Sequence, residues 1–450
     1  MNASLIYDGC MRRVQIALIL VLIPCLLPRI RHPFITGDFV DFGAYYTAAT
    51  LARDHQGVGI YNGADTGRDP QNVQADPSTL FAKTASRIGV RRPFLYLYPP
   101  ILADMIIPLT FFPFSAAARI WATLNYAMLP LISFFIVRLL KLRWISWGSL
   151  IILVVLYSFS PVIQCINMGQ VSILLLLLWA SGTLCYAKGW HAASGFVFAL
   201  AVAIKLTPLI VVVPLLLLKE WRTLRAVFVS LLLLAAITCV INTPSSVTDY
   251  FLHVVPPMSR GILTAINISV SASIERVYAA FHHEVIYPAV ADQLPAALIL
   301  LGKVVDAAIV GFAALLIYVR GNAIRTADRI VALALFAVLS VCVAPVSWQH
   351  GCTLCLLALT LLWAEALREP KSNLYLIILI LGTLSQTTSL NEFAYKNLEG
   401  HAAHPILATL LLSVTPLGGL VLVFARLVAM GLSSSELTHR LDLKCMTRTT

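Results

Sequence analysis

Charged residues are scarce in this sequence. Asp, Glu, Lys and Arg together make up 12% of the 450 residues, whereas apolar residues make up 59%. A soluble domain carries about 25% charged residues, roughly twice this fraction. So much apolar surface cannot be hidden in one or two water-soluble cores. The composition therefore excludes a cytosolic enzyme, a disordered regulator and a disulfide-stapled secreted module, and it predicts an integral membrane protein with many spans.

Cysteine pairs and metal-ligand clusters are also lacking. The nine cysteines are an odd number, and most lie inside apolar segments, as small buried apolar residues do. Cys352 and Cys355 form one C-x-x-C motif, without a second pair or a nearby group of histidines. Since no group of carboxylates has clear metal-ligand spacing, the sequence predicts no metal and no other cofactor.

The net charge of +11 is not gathered into a long basic stripe with interleaved aromatics, so nucleic acid is not a predicted partner. Lys and Arg instead lie at the ends of apolar runs, as the positive-inside rule expects. Four clusters, together with Arg12 and Arg13, predict that both termini are cytoplasmic. These clusters lie at 219–225, 320–329, 368–371 and 440–448.

Twelve apolar runs approach the roughly 20 residues that a membrane span needs. The first lacks a small-x-small cleavage site, so we interpret it as an uncleaved span rather than a signal peptide. The run at 191–218 is long enough to break at Pro208, and the segment around 95–113 is either a span or re-entrant. The runs are 14–30, 95–113, 117–140, 145–163, 171–187, 191–218, 225–242, 297–318, 330–345, 352–367, 373–387 and 405–427.

This pattern predicts a single all-α polytopic membrane domain over residues 1–450. Two long outer loops, 32–94 and 243–296, interrupt the apolar runs, and the link containing residues 347–350 also falls on the outer face. With this topology the basic cluster at 138–143 falls on the outer face too, in disagreement with the rule that places the other clusters.

The first outer loop holds six of the thirteen aspartates. Two short helices are predicted in it, over 42–53 and over 75–88, and both fit amphipathic helices on the membrane surface. Asp76 is the expected N-cap of the second helix, with Pro77 in its first turn.

A pair of carboxylates begins this loop. Asp38 and Asp41 lie three residues apart and are followed by Tyr45 and Tyr46. Asp41 either caps a helix or acts as a general base facing a cavity at membrane level, where burial raises a carboxyl pKa. The sequence leaves both interpretations open.

Other polar residues stand where apolar ones are expected. Arg92 and Tyr98 precede the second run, either as interfacial anchors or as part of a phosphate clamp. Lys205 lies inside an apolar run, where it either snorkels to an interface or lines a polar cavity. Gln170 lies between two runs and ends a helix or faces the same cavity. Asp104 and Asp306, near the ends of runs, are predicted to be structural.

The second loop and the late link add further candidates. If residues 267–276 are helical, Asn267 and Ser271 share a face, with Arg276 at the far end. Trp348 and His350 place an indole and an imidazole on the outer face.

Six short motifs, taken in the order in which they occur along the chain, resemble those of glycosyltransferase family 87, the polyprenyl-phosphate-mannose-dependent α-mannosyltransferases of the GT-C class. No single motif is specific, but their order on a polytopic chain is. The motifs are Asp41-Phe-Gly-Ala-Tyr-Tyr46, Tyr98-Pro-Pro100, Gly169-Gln170, Lys205-Leu-Thr-Pro208, Asn267-Ile-Ser-Val270 with Arg276, and Ser347-Trp-Gln-His350.

The resemblance implies a GT-C-like fold of about 12 transmembrane helices and an outer-face site with an aspartate base, which corresponds to Asp41, with Asp38 as second choice. It also implies that His350 contacts the donor phosphate or the acceptor, although Gly351 stands where a second histidine is common. Lys205 and Arg276 become candidates for the lipid-linked phosphate. The other candidate substrate contacts are Tyr45, Tyr46, Arg92, Tyr98, Gln170, Asn267 and Trp348.

The function implied is inverting transfer of a hexose, with mannose as first choice, from a polyprenyl phosphate carrier to a hydroxyl of a glycolipid or glycan in the bacterial cell envelope. The protein is then a multi-pass plasma-membrane enzyme whose partners are the lipid-linked donor, the acceptor and the bilayer. Another donor sugar stays open. The alternative is a transporter or flippase of lipid-linked sugars, which predicts an internal repeat that the sequence does not display.

Overall fold

The computed structural model describes residues 31, 33–35, 37–62, 75–261, 267–281, 294–320, 324–368, 372–387 and 405–446, with the side chains of the last helix described over 410–430. This part of the chain is mostly helical and contains no β-strand. Its one isolated bridge pairs Asn267 with Trp348. The run at 14–30 and the aspartates at 65 and 69 lie outside the described residues.

Eighteen α-helices are found in the described residues, and short 3-10 turns extend several of them. In chain order, α1 to α18 are Val40–Arg53, Leu80–Arg87, Pro100–Ile106, Phe114–Leu139, Trp147–Ser158, Ser160–Met168, Ser172–Ala187, His191–Ile204, Val212–Leu217, Trp221–Ile241, Pro244–Asp249, Val255–Ser259, Val270–Phe281, Ala296–Tyr318, Thr326–Cys342, Cys355–Arg368, Asn373–Ser385 and Pro405–Met446.

The apolar runs are mostly helical where the structure describes them, and several are long enough to cross a bilayer. The candidate spans are Phe114–Leu139, Trp221–Ile241, Ala296–Tyr318, Gln349–Arg368 and Leu410–Met430. Helices α5 and α6 form a sixth if their 48° bend is counted within one span. Shorter apolar helices account for most of the remaining runs. The total of twelve spans stays a prediction.

The run at 191–218 is not one continuous helix. It breaks at Lys205 and Leu206, three residues before the expected break at Pro208, and resumes as Thr207–Leu217. Tyr186 at the end of α7 donates to Glu220, and His191 at the start of α8 bonds to Thr223. Since residues on both sides of the run meet at one end of the bundle, the run travels away from this end and returns to it.

The basic cluster at 138–143 also lies elsewhere than expected. Arg368, in a predicted cytoplasmic cluster, donates to the backbone oxygen of Leu140. The end of α4 and the end of α16 therefore share one end of the bundle. The prediction that this cluster lies on the opposite side is wrong, because the helical part of 95–113 spans only Pro100–Phe111, about 18 Å at 1.5 Å per residue, too short to cross.

Helix α1 is a core element rather than an amphipathic surface helix. Every residue from Phe42 to Ala52 is buried, and the ring of Phe42 stacks on that of Trp121 with 5.7 Å between centroids. The two threonines can be buried because each donates to a backbone oxygen one turn earlier, Thr47 at 2.7 Å and Thr50 at 2.8 Å. Alanine and glycine on the remaining positions let neighbouring segments approach closely.

Three local expectations are corrected by the described helices. Thr79 caps α2 by accepting from the backbone NH of Ala82, whereas Asp76 accepts from Ser78 in the preceding turn. Asp41 does not cap α1, whose N-cap Phe39 has no side-chain cap bond. Asn267 shares no helix face with Ser271, because α13 begins only at Val270.

Candidate active site

Asp41 lies in the first turn of α1, near the start of the loop 32–94. Its side chain is half-buried, close to Gln170 and Lys205. Burial raises the pKa of Asp41 from 3.8 to about 6, while a hydrogen bond with Gln170 and the positive charge of Lys205 partly offset the effect. A carboxyl with this pKa is mostly ionised at pH 7 and accepts a proton readily.

The side chain of Gln170 is the centre of the polar cluster around Asp41. Its Oε1 accepts hydrogen bonds from the hydroxyls of Tyr45 and Tyr98, each at 2.9 Å. The rings of these tyrosines meet edge to face, with 5.0 Å between centroids. Burial raises the pKa of Tyr45 well above its ordinary value, so this phenol stays protonated and donates.

Gly169 allows Gln170 to reach Asp41. It ends α6 in the left-handed conformation, with φ of +74°, and a Cβ on it would stand 2.5 Å from the Cβ of Phe42. Only glycine combines this backbone with so close an approach. The indole of Trp121 donates to the carbonyl oxygen of Gly169 at 2.8 Å and holds the turn against α4.

Lys205 enters the same cluster from the break after α8. Its backbone is extended rather than helical, and its Nζ lies 5.6 Å from the centre of the Tyr98 ring. The ammonium is within electrostatic range of both Asp41 and His350. Of the two interpretations of the sequence, lining a polar site is the one that this placement supports.

His350 comes from a later part of the sequence and lies on the 3-10 turn before α16. It is 2% exposed, and its Nδ1 lies 3.0 Å from the hydroxyl of Ser172. The neighbouring Gln349 accepts a hydrogen bond of 3.3 Å from Gln164 on α6. Two contacts thus hold the imidazole-bearing turn against the segment that carries Gln170.

The second outer loop supports this turn rather than entering the cluster. The Nδ2 of Asn267 donates to Pro345, and its Oδ1 accepts from the backbone NH of Ser347. Arg276 is fully buried and donates to the carbonyl oxygen of Asn267 and to the hydroxyl of Ser273. Trp348 is half-buried beside Asn267. These bonds fix the loop to the residues that precede His350.

The structure therefore brings six of the sequence candidates together and leaves others apart. Asp38 and Arg92 are exposed, and the hydroxyl of Tyr46 donates to the carbonyl oxygen of Phe112, at 2.6 Å. The six that cluster are Asp41, Tyr45, Tyr98, Gln170, Lys205 and His350.

Sequence reasoning missed Ser172, the partner of His350. A serine at the first position of a helix is so common that it carries no functional signal of its own. Its position two residues after Gln170 was the available clue, because both side chains leave the same short turn.

The cluster combines three chemical capacities at one place. Asp41 supplies a proton acceptor, Lys205 an amino group that carries positive charge when protonated, and His350 a ring nitrogen that can donate or accept a hydrogen bond. Such a set suits a reaction in which one oxygen loses a proton while another leaves with negative charge. Among the described residues, no three His, Cys, Asp or Glu side chains form a group that could hold a metal ion.

Comparison with known proteins adds an independent line of support. A search of curated proteins gives no match. The model of glycosyltransferase family 87 matches residues 96–340, more than half of the chain. The matched range contains Tyr98, Gln170 and Lys205, whereas Asp41 and His350 lie outside it and join the cluster through the fold alone. A transferase is therefore favoured over a sugar-lipid transporter, and the chain is a membrane glycosyltransferase that belongs to glycosyltransferase family 87.

Proposed function

We propose that this glycosyltransferase moves a hexose, mannose as first choice, from a polyprenyl phosphate carrier to a hydroxyl of a glycolipid or glycan on the outer face of the bacterial plasma membrane. The observation that carries the proposal is the meeting of Asp41, Lys205 and His350, which come from three distant parts of the sequence. A sugar on a polyprenyl phosphate arrives in the plane of the bilayer, so its phosphate and anomeric carbon lie at headgroup depth.

The proposed reaction is a single displacement with inversion at the anomeric carbon. The acceptor oxygen forms a bond to this carbon as the bond from the carbon to the phosphate oxygen breaks, and polyprenyl phosphate leaves with the bonding electrons. The acceptor proton passes to Asp41. One base on the acceptor side is sufficient for this step, and no covalent sugar–enzyme intermediate forms.

The negative charge that develops on the phosphate needs compensation. Lys205 and His350 are the side chains that we assign to this role, because Lys205 is within electrostatic range of both Asp41 and His350 and neither side chain needs a metal ion to act. Arg276 supports the site through Asn267, and this position suits a structural role better than direct contact with the phosphate.

Transfer of labelled mannose from polyprenyl-phosphate-mannose in membranes of an expressing strain tests the proposal. We expect Asp41→Asn to lower transfer about 100-fold or more, since a positioned general base contributes about 10²–10⁴ to the rate. Asp54→Asn is the matched control, because Asp54 lies just after α1, is exposed and forms surface ion pairs with Arg53 and Arg87.

Undiminished transfer by Asp41→Asn would overturn the assignment of the base. Loss of transfer in Asp38→Asn alone would move the role to the other aspartate of the pair. If the wild-type membranes use polyprenyl-phosphate-glucose or a pentose donor and not the mannose donor, the choice of sugar is wrong while the class of reaction stands.

A further inference from the structure

Gln170 was expected among the residues that contact substrate, but its hydrogen bonds indicate another role. We propose that Gln170 is a positioning residue whose amide, locked by the hydroxyls of Tyr45 and Tyr98, directs its NH2 group to Asp41 and sets the pH range in which this carboxylate accepts a proton. The inference rests on the proposed function of Asp41 as the base, and it names what controls that base.

The lock follows from the number of donors and acceptors. A phenol has one hydrogen to donate, and an amide oxygen has two lone pairs. The Oε1 of Gln170 accepts from Tyr45 and from Tyr98 at 2.9 Å each, so its acceptor capacity is filled. If the amide turned over, its NH2 group could donate to the two phenol oxygens, but both phenol hydrogens would lose their acceptor and Oε1 would face the Asp41 carboxylate, to which it cannot donate. The orientation with NH2 toward Asp41 is therefore the one that the network maintains.

The amide NH2 acts on Asp41 by stabilising its ionised form. A hydrogen bond donated to a carboxylate favours the charged state and opposes the effect of burial. Among the described residues, the other charged or titratable groups that face Asp41 are Lys205, Tyr45, Tyr98 and Cys165. Lys205 acts in the same direction as Gln170, whereas the two phenols and the thiol carry no charge in their protonated forms.

Two substitutions separate the effect of the Gln170 NH2 group on Asp41 from the effect of side-chain packing. Gln170→Leu removes the donor to Asp41, and Gln170→Glu keeps an acceptor for both tyrosines but replaces the NH2 group with a second carboxylate oxygen. We expect both to raise the titration midpoint of Asp41 by about one pH unit. On the acidic side of the midpoint, this shift makes the ionised fraction of Asp41 about tenfold smaller. Gln170→Glu moves it at least as far, because like charges repel.

Labelling with a hydrophobic carbodiimide, which reacts with protonated carboxyl groups, measures this titration without turnover. The full-length protein in membranes is labelled between about pH 5 and pH 9, and mass spectrometry quantifies the modified peptide that contains Asp41. We expect the wild-type midpoint near the pKa of about 6 and a higher midpoint in both Gln170 variants. The exposed Gln56→Leu serves as the matched control for the same chemical change.

The tyrosine pair provides a second test if the Gln170 variants fail to fold. The double variant Tyr45→Phe with Tyr98→Phe frees the amide to turn and is expected to raise the midpoint of Asp41. Tyr157→Phe, whose hydroxyl bonds to Tyr126 away from Gln170, leaves it unchanged.

If Asp41 keeps the wild-type titration midpoint in every folded variant, the proposal that Gln170 controls Asp41 is wrong. The same preparations are also assayed for sugar transfer, where the acidic limb of the rate profile should shift with the labelling midpoint. If no donor gives transfer, the proposed function fails while the labelling result still decides whether Gln170 controls Asp41. If transfer occurs but neither midpoint moves, the lock alone is wrong.

Discussion

Asp41 is held where its negative charge is unfavourable. Its pKa of about 6, against an ordinary 3.8, means that the folded protein binds a proton on this group more tightly than the unfolded chain does. The protonated group therefore stabilises the fold at low pH, fully below its ordinary pKa, and this stabilisation is lost as the pH rises through about 6. A shift of about two units corresponds to about 3 kcal/mol.

We expect Asp41→Asn to stabilise the protein at neutral pH while it lowers transfer about 100-fold or more. The amide cannot ionise, so the melting temperature of this variant should exceed that of the wild type at pH 7 and approach it near pH 4. Thermal melting of detergent-solubilised protein across this range provides the measurement. Asp54→Asn should follow the wild-type dependence of melting temperature on pH. If Asp41→Asn runs parallel to the wild type as well, burial does not destabilise the ionised carboxyl of Asp41.

Single residues were the most predictable level of the site. Lys205 is a charge inside an apolar run, Asp41 belongs to the carboxylate pair that begins the loop 32–94, and His350 lies in the short link between two runs, so each is visible in the sequence. The contacts around them are not visible, because they join positions far apart in the chain, 125 residues for Tyr45 and Gln170 and 178 residues for Ser172 and His350. Hydroxyls and amides that meet only in the folded chain have no local signature.

At the level of elements, the turn between α6 and α7 determines the geometry of the site. Gly169 turns the chain in the left-handed region, Gln170 reaches Asp41, and Ser172 reaches His350. Asp41 and His350, which lie far apart in the sequence and which we propose to act in catalysis, are thus positioned by side chains two residues apart. The turn packs directly on α1 through Phe42.

We expect Gly169→Ala to destabilise the protein and to impair transfer. A left-handed alanine costs about 1–2 kcal/mol, and the new methyl group would displace Phe42 and the start of α1 for about 1–3 kcal/mol more. Gly189→Ala is a close control, because Gly189 has φ of +75° and nothing within 4 Å of an added Cβ. It should lower the melting temperature less and leave transfer unchanged. Equal effects of the two substitutions on stability and transfer would contradict this role of the turn.

The existence of helices was predictable from apolar runs, but the environment of the loop helices was not. In α1, Thr47 and Thr50 look like a polar face in the sequence, yet their hydroxyls are satisfied within the helix. Asp76 looked like a cap because proline follows it, but Thr79 stands three residues before Ala82, the spacing that a cap bond uses. Propensity rules place elements well, and tertiary packing decides which face is buried.

For the whole molecule, two deviations from the predicted span pattern compensate each other. Helix α3 is too short to cross, and the run at 191–218 turns back at Lys205 to the end of the bundle at which it began, so the chain leaves each of these two segments on the side from which it entered. With both changes the basic residues at 138–143 move to the side of Arg368, which the hydrogen bond to Leu140 requires. Combined with the positive-inside rule, this arrangement predicts that every described basic cluster is cytoplasmic and that the Asp41 cluster lies on the outer side.

This topology predicts the labelling of single cysteines by a membrane-impermeant maleimide. Val58→Cys, exposed in the first loop, should react in intact cells. Arg143→Cys and Arg222→Cys, both at exposed positions, should react only after the membrane is opened. The wild type gives the background, since its described cysteines are buried or half-buried. If Arg143→Cys reacts in intact cells, the segment 95–113 crosses the membrane after all. If Arg222→Cys reacts in intact cells and Val58→Cys does not, the Asp41 cluster lies on the cytoplasmic side and an outer-face transferase is excluded.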